Sequence, residues 1–276
     1  MSATDTRKRR LVRARRTLAL GTAAATVAGS LVQAQPAEIP SIGADNQVLL
    51  AQTATGGEGE GEGEGEGARL DPTVVLLRDL GFIEGHLRAG MALYEAGDRE
   101  AARTHMGHPI EEKYDAVAQP LEERALERLR SEILALAKAS EADAPFAELE
   151  PLFAAVRATI EEARGQTTAR EQIKGLAELT RIAGAEYQIG LEGGTVSNLH
   201  EYQDAWGFLR VVETEARQMA ESDDPEIAEA GTRILGHLAA TDATFGDLQG
   251  QGDFEVDPSR LFGAAARIDI VALRIE

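Results

Sequence analysis

The chain has 276 residues, no cysteine, and 28 Lys+Arg against 47 Asp+Glu, which gives a formal net charge of −19. Without cysteine it can form no disulfide, carry no lipid on a cysteine and use no thiol nucleophile. A chain this acidic is not expected to bind nucleic acid or anionic lipid, because both carry negative charge.

The first 34 residues are typical of an export signal. A basic run at residues 7–16 is followed by an apolar run of small residues and a cleavage-like Val-Gln-Ala at 32–34. This order of segments predicts export and cleavage. Arg15 and Arg16 fit a twin-arginine signal, although an ordinary secretory signal fits as well. Since the apolar run is too short to span a bilayer comfortably, we expect a mature protein that is soluble, periplasmic and not membrane-spanning.

Residues 35–70 are predicted to form a disordered linker. Between residues 56 and 67, five glutamates alternate with glycines. Glycine makes ordering costly and the like charges repel one another, so this segment should be extended and mobile. Its carboxylates could collect divalent cations weakly, but no rigid site would organise them.

From residue 71 to residue 276, apolar residues recur at the three- and four-residue spacing of helices. Capping patterns mark several predicted helix starts: Asp71-Pro72, Thr168 with Glu171, Asn198 with Glu201, Asp224-Pro225 and Asp257-Pro258. No run of alternating β-branched residues competes with this pattern. We predict an all-α fold, an antiparallel multi-helix bundle of roughly eight helices.

Two of the five histidines stand three residues apart in the stretch THMGHP, and two interpretations are open. In the first, His105 and His108 belong to a helix junction. Pro109 disfavours helical backbone at the residue before it, so His108 would cap a helix that starts at Pro109. Glu111 and Glu112 would then lie in the first turn of that helix, where the helix dipole favours carboxylates. This interpretation explains every residue without a metal.

The second interpretation is a metal site. His86 flanks an apolar stripe, where a solvated face would more often carry Arg or Glu, and a turn at Gly97 can bring the next helix back toward it. Imidazole nitrogens and a carboxylate oxygen suit iron, copper or zinc. The predicted metal ligands are His86, His105, His108, Glu111 and Glu112, with His200 and Glu186 as further candidates. His237 is expected to be exposed.

The stretch EYQIGLEGGTVSNLHEYQDAWGF, residues 186–208, resembles the periplasmic helical region of iron permeases of the FTR1 family. The shared features are an acidic-aromatic helix end, a Gly-x-Val-x-Asn turn and a following acidic-aromatic group: Gly194, Val196, Asn198, Glu201, Tyr202 and Asp204. The Arg-Glu-x-x-Glu motifs of the membrane part of those permeases do not occur here, so the resemblance does not imply transport. It implies a helical domain of the cell envelope that serves metal uptake.

These observations predict an exported periplasmic protein that binds iron or copper as a carrier or accessory in metal uptake or homeostasis. The expected partners are the metal ion (iron, copper or zinc), as the only cofactor, and an inner-membrane transporter. We do not expect an enzyme, because no serine stands in a nucleophile elbow and no glycine-rich phosphate loop follows a strand. The alternative is a metal-free structural or protein-interaction bundle of the envelope.

Overall fold

The structure, a computed structural model, describes residues 70–275. The predicted export signal and all but the last residue of the predicted linker lie outside the described residues. Within residues 70–275 there are nine α-helices: α1 (Pro72–Ala96), α2 (Arg99–Glu112), α3 (Tyr114–Glu122), α4 (Leu129–Glu141), α5 (Phe146–Arg164), α6 (Ala169–Ile189), α7 (Leu199–Ala220), α8 (Pro225–Leu238) and α9 (Ser259–Ala272). The all-α prediction is confirmed.

Two small elements accompany the helices. An antiparallel hairpin of β1 (Leu191–Glu192) and β2 (Thr195–Val196) joins α6 to α7. A 3-10 helix, Ala239–Thr244, follows α8. Neither was predicted, since strands of two residues are too short to show an alternating pattern.

Side-chain caps start three of the helices as the sequence predicts: Asp71 at α1, Thr168 at α6 and Asp224 at α8. Asp71 Oδ1 accepts a hydrogen bond from the backbone N–H of Thr73 at 2.8 Å, directly before the proline that begins α1. Thr168 and Glu171 form the reciprocal capping box of α6, each side chain accepting from the backbone N–H of the other residue. These caps satisfy N–H groups that have no partner within the helix.

The second predicted capping box is wrong. Asn198 does precede α7, but its side chain makes no hydrogen bond to the backbone of the helix. Oε1 of Glu201 instead accepts a hydrogen bond from the side-chain amide of Asn198 at 3.5 Å. The two side chains are therefore directed at each other and not at the backbone N–H groups that a capping box would satisfy.

Helix α2 runs through THMGHP without a break, which corrects the prediction that a helix starts at Pro109. The proline has no N–H for the carbonyl of His105, so one helical hydrogen bond is missing. However, Ala102, His105, Met106 and Pro109 are all buried, at a spacing that places them on one face of the helix. Because burial of this face continues across the proline, it stabilises an unbroken helix. His108 is therefore an interior residue of α2 and not a cap.

Two apolar cores share α1. One core lies among α6, α7, α8 and α9 and includes Tyr187, Tyr202 and Phe208. The other lies among α1 to α5 and includes Leu80 and Ile83 of α1. Helix α1 also sends Phe82 into the first core. It is thus the element against which both groups of helices pack.

The contact between α1 and α7 is close because two glycines meet there. A Cβ atom added at Gly207 would overlap the carbonyl oxygen of Gly85, and one added at Gly85 would overlap the ring of Phe208. Helix backbones can approach this closely only where side chains are missing. The approach places His86, the next residue on α1, directly against α7.

Within the described residues, no helix combines the length and the apolar character that crossing a bilayer requires. The longest, α1, has 25 residues and carries a buried charged residue, Glu84, near its middle.

Candidate metal centre

Three helices bring four potential metal ligands together in the interior. They are His86 of α1, His105 of α2, and His200 and Asp204 of α7, and one ligand atom from each lies within 4.8 Å of all the others. Asp204 Oδ1 is 2.7 Å from His86 Nδ1 and 2.9 Å from His105 Nδ1. Asp204 Oδ2 is 3.3 Å from His200 Nε2. We call these four residues the histidine–aspartate cluster.

His86 lies between aromatic rings and has no hydrogen bond. Its ring centroid is 4.4 Å from that of Phe82 and 5.2 Å from that of Phe208. Both ring nitrogens are buried and unbonded, because the close approach of Nδ1 to Asp204 does not have the direction of a hydrogen bond. A buried nitrogen without a partner costs free energy. A cation in the cluster would give one of these nitrogens a partner.

His105 is fully buried and is held at both ring nitrogens. Nδ1 faces Asp204, and Nε2 lies 2.9 Å from Oε1 of Gln203. The amide nitrogen of Gln203 donates to the backbone carbonyl of Leu248 at 2.8 Å. The ring of His105 stacks on that of His200 with centroids 4.3 Å apart. These contacts fix the position of the ring within the cluster.

His108 lies at the edge of the cluster. Its Nδ1 is 3.1 Å from His200 Nε2 and 3.4 Å from Oε1 of Glu112, one turn later on α2. The side chains of His108 and His200 are partly exposed, and that of Glu112 is about half exposed. These residues therefore lead from the surface to the buried ligands.

Two further carboxyl groups lie beside this edge. Burial, together with a hydrogen bond and repulsion from Glu201, raises the pKa of Glu186 to about 8, and Asp204 and Glu112 add to the repulsion. Glu186 is therefore mostly protonated at neutral pH. Several carboxyl groups in one place lower the electrostatic free energy of a cation approaching the cluster.

Two members of the cluster have shifted pKa values. Burial lowers the pKa of His200 to about 4, and the neighbouring histidines add to this effect against the attraction of Asp204. Burial alone would raise the pKa of Asp204, but His86 and His105 hold it well below its ordinary value. At neutral pH, His200 is therefore uncharged and Asp204 ionised, which are the forms that bind metal ions.

The predicted ligands differ in how close they come to this cluster. His86 and His105 are members of it, and His108 lies at its edge. Glu112 reaches the cluster only through His108. Glu111 is exposed, and in the described part of the chain no hydrogen bond or ion pair links it to the cluster.

The most central residue was not among the predicted ligands. Asp204 appeared only within the family resemblance, and His200 only as a further candidate. Their spacing of four residues places both on one face of a helix, a signal that was available in the sequence. His237 was expected to be exposed, but it is partly buried on α8. It takes no part in the cluster.

Three imidazole nitrogens and one carboxylate oxygen form a donor set typical of zinc, iron and other first-row transition metals. Calcium and magnesium prefer six or more oxygen ligands, which this cluster does not offer. The unbonded nitrogens of His86 fit the same conclusion, because a transition metal would bind one of them directly. The residues present therefore suit a transition metal ion.

Comparison with known proteins gives a family match to part of the chain. Residues 162–268 match the family model of the FTR1 iron permease-associated 4-helix bundle domain. The matched region contains α6, α7, α8 and most of α9, the helices of the first core, and it includes the stretch that resembles FTR1 permeases. No curated protein and no solved structure matched the chain.

The cluster crosses the boundary of the matched region. His200 and Asp204 lie inside it, whereas His86 and His105 precede it. The four-helix bundle therefore supplies two of the four ligands, and α1 and α2 supply the others. A complete ligand set exists only where these two parts of the chain pack together.

Proposed function

We propose that this chain is an exported helical protein that binds one transition metal ion in the histidine–aspartate cluster and acts as a carrier or accessory in iron uptake. One observation carries the proposal: His86 has two buried ring nitrogens without hydrogen bonds, beside three other ligand-type side chains. Leaving such nitrogens unpaired is unfavourable in a metal-free core. Coordination would give one of these nitrogens a partner and contribute to metal affinity.

The family match supports iron as the cargo. The matched domain is associated with iron permeases, so the proposed partner is an inner-membrane iron transporter that receives or delivers the ion. The donor set alone would also accept zinc or copper. The choice among the three metals therefore rests on the family.

Metal binding can be tested on protein purified without a histidine tag. Elemental analysis and calorimetric titration, with Zn²⁺ in air and with Fe²⁺ under anaerobic conditions, should give one ion per chain. Replacing His86, His105 or His200 by alanine should each weaken binding by more than about tenfold, since each removes a ligand from a preorganised site. His237→Ala is the matched control and should bind like the wild type.

Equal and weak binding by all of these variants would contradict the proposal. The chain would then be a metal-free scaffold of the envelope, the alternative interpretation of its sequence. In that case the contacts of Asp204 with His86 and His105 would serve only to join α7 to α1 and α2.

Export is the second part of the proposal, and it rests on the basic and apolar runs before residue 35. The intact mass of protein recovered from the periplasm should correspond to a chain that starts at or near Gln35. A mass that retains residues 1–34 would contradict cleavage. Replacing Arg15 and Arg16 by lysine should block export only if the twin-arginine route is used.

A further inference from the structure

Gln203 has a single possible orientation. It is buried, and its amide nitrogen donates to the carbonyl oxygen of Leu248 at 2.8 Å. A carbonyl oxygen can only accept a hydrogen bond. Turning the amide over would set Oε1 of Gln203 against that carbonyl, two acceptors in contact without a proton between them. The carbonyl of Leu248 thus determines which end of the amide faces the cluster.

That orientation determines which nitrogen of His105 is protonated. Oε1 of Gln203 faces His105 Nε2 at 2.9 Å, and an amide oxygen can only accept, so Nε2 must carry the proton. The lone pair of the neutral ring is then on Nδ1. Nδ1 lies 2.9 Å from Oδ1 of Asp204, which is an acceptor as well. Two acceptors at this distance need a positive charge, either a proton or a metal ion, to hold them together.

We infer that Gln203 is a positioning residue that keeps the proton of His105 on Nε2 and presents Nδ1 to the metal ion. The inference rests on the proposed function of the cluster. Histidines that bind metals usually donate their second N–H to a neighbouring group, which fixes the ring and its tautomer. In this chain that group is a neutral amide, and the backbone at Leu248, between the 3-10 helix and α9, holds it in place.

The inference can be tested by NMR of the full chain with ¹⁵N-labelled histidine, using Zn²⁺ as the probe. Long-range ¹H–¹⁵N correlations show which nitrogen of each ring is protonated and which is bound to metal. The expected result is a protonated Nε2 on His105 before and after zinc is added, with Nδ1 bound to zinc. Gln203→Met removes the accepting oxygen, so it should weaken zinc binding by about tenfold or more and leave the tautomer of His105 mixed.

Two further variants separate positioning from packing. Gln203→Glu keeps an oxygen that can accept from Nε2–H, although its second oxygen faces the carbonyl of Leu248, so it should retain the Nε2–H signature and bind zinc at least about threefold more tightly than Gln203→Met. Gln172→Met makes the same change in a glutamine that donates to the carbonyl of Arg164, away from the cluster. It should change neither the binding nor the spectrum of His105.

The results that would overturn the inference are specific. An unprotonated or zinc-bound Nε2 on His105 in the wild type would overturn the inference. Zinc binding by Gln203→Met that equals that of the wild type would also overturn it. A wild-type protein that binds no zinc but shows Nε2 protonated would overturn the proposed function, and with it the role of Nδ1 as a ligand. The orientation of His105 by Gln203 would still stand in that case.

Discussion

Nδ1 of His105 and Oδ1 of Asp204 lie 2.9 Å apart, although 99 residues separate them in the chain. Both side chains are buried. The two residues belong to α2 and α7, both of which pack against α1. Removing either partner would leave a buried polar atom of the other without this contact, which is more costly than losing a surface pair.

Asp204→Asn tests the centre of the cluster, because it removes the charge and keeps the shape. Zinc affinity should fall by more than about tenfold, since the variant loses the only carboxylate ligand. The metal-free protein should also lose about 2 kcal/mol of unfolding free energy at pH 7. The pKa of Asp204 is lower in the folded protein than in the unfolded chain, so its stabilisation is present at neutral pH and disappears on acidification.

Zinc titration and urea denaturation measure these two effects separately. Asp253→Asn, in an exposed loop, is the control and should change neither. If Asp204→Asn bound zinc as tightly as the wild type, zinc would bind outside the histidine–aspartate cluster.

Glu111 and Glu112 form a natural pair of variants, because only the second contacts His108 at the edge of the cluster. Glu112→Gln should weaken zinc binding about two- to fivefold, the usual size of a partly exposed charge interaction. Glu111→Gln should leave it unchanged. Competition with a zinc chelator at low ionic strength would measure both. An equal loss in the two variants would mean that general surface charge, and not the contact of Glu112 with His108, sets the effect.

The helices of this chain could be predicted because their signals are local. Apolar spacing and caps such as Asp71 and Thr168 depend on residues only a few positions apart. The prediction failed at Pro109, where distant contacts compete with a local signal: α2 continues past the proline because the face on both sides of it is buried.

The site could be predicted only in part, for a related reason. His86 and His105 stand out as histidines beside apolar stripes. The turn at Gly97 joins their two helices directly, so the sequence indicates that the two residues can approach each other. Asp204 is one of 47 acidic residues, and its spacing from His200 marks it only as a neighbour of that histidine, not as the centre of the cluster. That role depends on the packing of α7 against α1, which cannot be predicted from the apolar spacing of either helix alone.

The close contact of α1 with α7 gives a prediction about geometry. Gly207→Ala places a methyl group against the backbone of Gly85, so the helices must separate. We expect a loss of about 2 kcal/mol of unfolding free energy. Zinc affinity should fall as well, because His86 and Asp204 would move apart. Urea denaturation and zinc titration provide the two measurements.

Gly236→Ala is the control for this change. The glycine lies within α8 and has no neighbouring atom within 4 Å of an added Cβ. The variant should gain roughly 0.5–1 kcal/mol through better helix propensity and bind zinc normally. If Gly207→Ala were as stable as the wild type, the result would contradict the close contact between α1 and α7.

A second buried group of charges, away from the cluster, joins α1, α5 and α7. Arg164 donates to Oε2 of Glu84 at 2.8 Å and to Oε1 of Glu215 at 2.9 Å. Burial opposes the charge on both carboxyl groups, but Arg164 and Arg88 keep the pKa of Glu84 below its ordinary value. For Glu215, burial outweighs the attraction of Arg164, and repulsion from Glu84 adds to it. The pKa of Glu215 rises to about 7.

Glu215→Gln should therefore change how stability depends on pH. Between pH 4.5 and pH 7, wild-type Glu215 keeps a proton that the unfolded chain releases, so the unfolding free energy falls as pH rises through this range. The glutamine has no proton to lose. Relative to the wild type, the unfolding free energy of the variant should rise by on the order of 3 kcal/mol between pH 4.5 and pH 8.

Urea denaturation of chelator-treated protein measures this difference without interference from bound metal. Glu150→Gln, an exposed control, should follow the wild type, and a Glu215→Gln curve parallel to the wild type would show that Glu215 is ionised throughout.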